Sequence, residues 1–75
     1  MNLQNIDLVE IRSLDESGAV VETVDELTGE IIPLKPARRA TIADGIEEFA
    51  AIGSRGLLMP HGMGQWEVVS LDVPG

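Results

Sequence analysis

The sequence predicts a small α+β domain: a mainly antiparallel sheet in the chain order β-β-β-α-β-β, with one helix packed on one face. Three observations predict it. Short β-branched runs recur between eight glycines and four prolines, the punctuation of turns. Ile42, Ile46, Phe49 and Ala50 fall at i, i+4, i+7 and i+8, the stripe of a helix with one buried face. Seventy-five residues, 44% of them hydrophobic, suffice for one folded domain over residues 1–75 rather than a disordered chain.

In chain order, Ile6 to Arg12 reads as a half-buried strand and Leu14 to Gly18 as a polar turn. Ala19 to Asp25 reads as the second strand. Asp25-Glu-Leu-Thr-Gly29-Glu30 lies between two β-branched runs, with a glycine ready for the positive φ that closes a tight hairpin. Ile31 to Leu34 is the returning strand, placed at a sheet edge because Pro33 has no N–H to donate. Thr41 and Asp44 have the spacing of a capping box with Asp in place of Glu, and open a helix that stops near Gly53 or Gly56. Gly45 weakens this helix by about 0.5–1 kcal/mol relative to alanine, and lets it approach the sheet closely. Gly56 to Met59 and Gln65 to Leu71 complete the sheet, joined by the turn Pro60-His-Gly-Met-Gly64. Trp66 is the one large ring available to fill the core near that turn. Nothing in the chain is left to cover the sheet face opposite the helix.

Thirteen acidic residues against five Lys and Arg give a formal net charge of −8. Eight of the acids (Asp7, Glu10, Asp15, Glu16, Glu22, Asp25, Glu26 and Glu30) lie in the first thirty residues with Arg12 as their only base. Such a field attracts basic surfaces and repels bare nucleic acid and anionic membrane. Lys35, Arg38 and Arg39 form a small basic cluster ahead of the helix. Two or three phosphate contacts supply only weak, salt-sensitive affinity, so direct nucleic-acid binding is not expected. No apolar run approaches the roughly 20 residues of a membrane helix. The first residues also lack the basic-then-apolar order of a secretory signal, so the expected location is the cytoplasm.

Catalytic chemistry has little to stand on. There is no cysteine and one histidine, His61, too few strong ligands for a zinc site. Asp7, Glu10, Asp15 and Glu16 lack the spacing of a calcium loop. Glu47 and Glu48 are adjacent and diverge on a helix, so they share no proton. Ser54 sits in Gly53-Ser-Arg-Gly56 rather than in a nucleophile elbow. Neither a Walker loop nor a dinucleotide fingerprint occurs. No enzyme activity, metal or cofactor is expected.

The expected function is therefore non-enzymatic: a small acidic module that binds another protein through its basic surface. Glu22, Asp25, Glu26 and Glu30 around one hairpin are the densest acidic patch, and Met63 offers an adaptable apolar contact at a loop tip. Carboxylates along a rigid strand imitate a row of phosphates, so an inhibitor that occupies a nucleic-acid-binding surface is a special case. Small acidic cysteine-free chains of this kind are associated with phages and mobile elements. The alternative is a structural or self-assembling subunit, a homo-oligomer that pairs through sheet edges or the uncovered sheet face.

Overall fold

The computed structural model describes residues 6–72. Its five strands are β1 (Asp7–Asp15), β2 (Gly18–Thr23), β3 (Arg38–Ile42), β4 (Arg55–Pro60) and β5 (Trp66–Leu71). Alternation drives them. Val9 and Ile11 on β1, Ala19, Val21 and Thr23 on β2, Ala40 on β3, Leu58 on β4 and Val68 on β5 are buried, with more exposed neighbours between them. The strands close in the order β1-β2-β3-β5-β4, and β4 pairs back onto β1. The first four follow a Greek-key path, with β4 returning beside β1, and β5 inserts between β3 and β4. All pairs are antiparallel except β3 with β5, which run parallel through Thr41↔Glu67 and Ile42↔Val68.

This barrel corrects the expected α+β fold. No α-helix occurs among the described residues; the helix expected from Thr41 is replaced by the end of β3 and a 3-10 turn at Glu47–Phe49. Arg38-Arg39-Ala40-Thr41-Ile42 alternates exposed and buried positions around Ala40, which lies opposite Ala19 on β2. Gly45 then takes φ +94°, left-handed backbone that no right-handed helix admits. A Cβ on Gly45 would meet nothing within 4 Å, so this glycine serves backbone conformation and not close packing. The apolar stripe reflects burial only in part: Ile42 packs against the core from the end of β3, Ile46 and Ala50 do so from irregular backbone, and Phe49 is exposed.

The bare second sheet face is corrected too. Five strands curl until the inner face packs on itself, which buries the apolar positions without any helix. Every strand has a neighbour on each side, and the β3–β5 seam that closes the barrel is the shortest, paired at Thr41 and Ile42.

The hairpin turn at 25–30 forms: Asp25 N–H donates to Glu30 O and Gly29 N–H to Asp25 O, both at 2.8 Å. Its returning strand does not. Ile31 makes a single antiparallel bridge to Val24, and Pro33 and Leu34 are exposed in a long β2–β3 connection.

Two irregularities shape the wall. The β1–β2 register slips between Ile11 and Ser13, which leaves Arg12 as an extra, bulged residue. A second slip between β4 and β5 follows Gly56, which is buried where the two strands press together.

Candidate functional site

β1, β3 and β5 run one way around the barrel and β2 and β4 the other. One end, here the lower, therefore gathers the start of β1, the 24–37 connection and the 61–65 loop. The upper end gathers the turn at Glu16 and Ser17, the segment 43–54, and Asp72.

The barrel wall consumes its arginines. Glu10 lies directly opposite Glu22 across β1–β2 and opposite Arg55 across β1–β4. The bulged Arg12 reaches both carboxylates, at 2.8 Å to Glu10 and 3.1 Å to Glu22, and Arg55 binds Glu10 at 3.0 Å. Arg39 binds Asp15, which also accepts from the Ser17 N–H and hydroxyl in the β1–β2 turn. Burial pushes the Glu10 carboxyl up, but hydrogen bonds from Arg12 and Arg55 outweigh it and hold the group below its ordinary value of 4.5. Hydrogen bonds from Arg39 and Ser17 hold Asp15 well below the carboxylate range.

Both shifts are downward, so both carboxylates stabilise the fold above their ordinary values and lose that contribution as pH falls through the folded ones. Thermal stability followed by circular dichroism is expected to hold from neutrality to about pH 5 and to decline below about pH 4. Glu10→Gln should flatten that decline. An unchanged acid limb in this variant would mean that Glu10 carries none of it.

Arg38 occupies an inward position at the lower mouth. Its guanidinium donates to Asp7 on β1 and to the Thr23 hydroxyl on β2, each at 2.9 Å. It also lies over the Trp66 ring of β5, 4.4 Å from the centroid. Four strands thus meet in one polar plug beneath the apolar interior. The basic cluster read at Lys35, Arg38 and Arg39 is dispersed: the two arginines point to opposite sides of β3 and each is ion-paired, which leaves Lys35 in the connection.

Among the described residues eight acids make no ion pair. Asp25, Glu26 and Glu30 lie at the lower end; Glu16, Asp44, Glu47, Glu48 and Asp72 lie at the upper. The five residues singled out from sequence separate accordingly. Glu22 is half-buried on the β2 wall and held by Arg12. Asp25 caps its own turn, accepting from the backbone N–H of Leu27 at 2.7 Å and of Thr28 at 3.2 Å. Glu26 and Glu30 are exposed, and their carboxylates have no partner among the described residues.

Met63 projects from the tip of the 61–65 loop, 98% exposed, at φ +50°, the one non-glycine residue with positive φ among those described. The fold thus brings Met63 to the same end as Asp25, Glu26 and Glu30, a convergence that chain order conceals. Two residues join them that sequence reading assigned to turn and strand: Leu27, 96% exposed, and Leu34, 93% exposed.

Ser54 and His61 stand at opposite ends of β4, so they form no nucleophile–base pair, and His61 Nδ1 faces Glu67 at 3.4 Å. Among the described residues no three His, Cys, Asp or Glu side chains converge on a point that could hold a metal ion. No helix among them is long and apolar enough to cross a membrane. No family model matches the chain, and neither a curated protein nor a solved structure matches it.

Proposed function

We propose that this chain is a non-enzymatic, cytoplasmic binding module that docks its lower barrel end onto a basic surface of another protein. One observation carries the reading. Among the described residues the three most exposed large apolar side chains, Leu27, Leu34 and Met63, come from the two loops of the end that also presents Asp25, Glu26 and Glu30. Exposed apolar groups beside unpaired carboxylates match a surface that offers cations around apolar ground. A nucleic-acid-binding surface of the partner protein fits that description, which makes inhibition by occupancy the special case of this function.

The architecture invites a rival. A five-stranded Greek-key barrel is also the frame of the OB-fold, whose β2–β3 face and flanking loops bind oligonucleotides and oligosaccharides. Architecture alone assigns no activity. The outward residues here, Val20 and Glu22 on β2 with Arg39 and Thr41 on β3, include no aromatic platform for a base, and Arg39 is spent on Asp15. With a net charge of −8, this favours a protein partner over direct nucleic-acid contact.

Glu26 and Glu30 are the residues to reverse, because Glu22 and Asp25 are engaged in the fold. A basic partner captured from host lysate and eluted by salt is expected to be lost with the Glu26→Lys, Glu30→Lys variant while that variant melts like the wild type. Retention of the same partner by the folded double variant would overturn the assignment of this end.

A further inference from the structure

We propose that the segment recognised at the lower end is a basic amphipathic helix of the partner protein. The proposal rests on the acidic-docking function above and names the shape of what docks. Beside the 24–37 connection lies a groove of about 460 Å³. Apolar side chains of Ile6, Leu8, Val24, Leu27 and Ile32 line it, and the carboxylates of Asp25 and Glu26 stand among them. Asp7, also in the lining, is neutralised by Arg38 at 2.9 Å. Among the described residues Lys35 is the single cation lining the groove, and with Asp25, Glu26 and Glu30 in the same connection the local field stays negative.

Barrel closure decides between a helix and an extended peptide. An extended segment gains affinity by adding a strand to a free sheet edge, and each of the five strands here already has a neighbour on both sides. Recognition therefore has to come from side chains. A helix places apolar residues at i, i+3, i+4 and i+7 on one stripe, flanked by its lysines and arginines. Such a stripe sets its apolar groups into the groove while its cations meet Asp25, Glu26 and Glu30 at the margin. Met63, unbranched and exposed on the neighbouring loop, suits contact with differing apolar side chains.

The test titrates the full chain with two synthetic peptides of about 18 residues, long enough to form a helix on binding. Both contain leucine and lysine in equal number; one has them in amphipathic helical order, the other scrambled. Fluorescence anisotropy of the labelled peptides reports binding. The ordered peptide is expected to bind at least about tenfold more tightly than the scrambled one, and Leu27→Ser to weaken it by about tenfold, the effect of removing one well-packed apolar contact. The Glu26→Lys, Glu30→Lys variant should weaken both peptides and reduce the salt dependence.

Equal binding of the two peptides, sensitive to the charge reversal, would overturn the helix and leave the acidic-docking function standing. Binding of neither would overturn both. Binding of the ordered peptide that ignores both Leu27→Ser and the charge reversal would place its site elsewhere and overturn the proposal.

Discussion

Gly56→Ala is expected to unfold the barrel or bring it to the edge of unfolding. An ideal Cβ at Gly56 would stand 2.1 Å from the Ser70 carbonyl oxygen and 2.9 Å from a Leu71 methyl. The oxygen belongs to backbone, so relief requires β4 and β5 to move apart where Gly56 pairs with Leu71 and, next to it, Leu57 with Ser70. Overpacking of this kind costs about 3 kcal/mol, most of the roughly 3–5 kcal/mol that a core of this size supplies. Urea unfolding followed by Trp66 fluorescence measures the loss.

Gly62→Ala is the control. A Cβ there would meet open space, but φ is +66°, so only the left-handed backbone costs, about 1–2 kcal/mol. The expected order of stability is wild type, then Gly62→Ala, then Gly56→Ala. A Gly56→Ala protein as stable as wild type would be incompatible with this β4–β5 register.

The same close packing shows why parts of the fold were legible in sequence and others were not. β1, β2, β4 and β5 announce themselves through apolar residues two apart, as in Val9 and Ile11 or Ala19 and Val21, between turn residues. β3 does not. Its five residues include two arginines and one buried alanine, and its last member, Ile42, also begins a helix-spaced stripe with Ile46 and Ala50. Spacing reports which residues seek burial; it does not report the backbone that delivers them. Deciding against the helix required Gly45 to be recognised as left-handed and β3 to find β5, a parallel pairing across the whole β4 hairpin that no local pattern encodes.

Turn chemistry around Asp25 and Gly29 marked Glu26 and Glu30 correctly as exposed loop acids. Leu27 was hidden inside that turn and Leu34 inside an expected strand. Leu34 is exposed because pairing with the end of β2 stops at Ile31 and Ile32, just before Pro33, which has no N–H to continue it. The acidic run of the first thirty residues was legible as charge but not as surface: Asp7, Glu10, Asp15 and Glu22 are absorbed by arginines, three of which, Arg38, Arg39 and Arg55, lie on strands distant in sequence.

Arg38→Met is expected to be the most damaging change among the charged residues. Arg38 reads in sequence as one of three exposed cations, yet in the barrel its side chain is 19% exposed and its carboxylate partner on Asp7 29% exposed. Methionine keeps the length and apolar stem but removes every donor. The Thr23 hydroxyl, on a residue 5% exposed, then loses a partner, and Asp7 keeps its charge with nothing opposite it. An orphaned, part-buried carboxylate and hydroxyl cost about 2–3 kcal/mol together, less than a fully buried pair because water still reaches Asp7.

Adding Asp7→Asn to Arg38→Met removes the orphaned charge and is expected to recover about 1 kcal/mol. Arg38→Lys keeps the charge but not the planar guanidinium that reaches Asp7 and Thr23 through Nη2 while lying over Trp66, so it should fall between wild type and Arg38→Met. Urea unfolding of the four proteins gives these differences, and a red shift in Trp66 emission should accompany the loss of the guanidinium that covers its ring. Equal stability of wild type and Arg38→Met would mean that the plug does not hold the lower mouth.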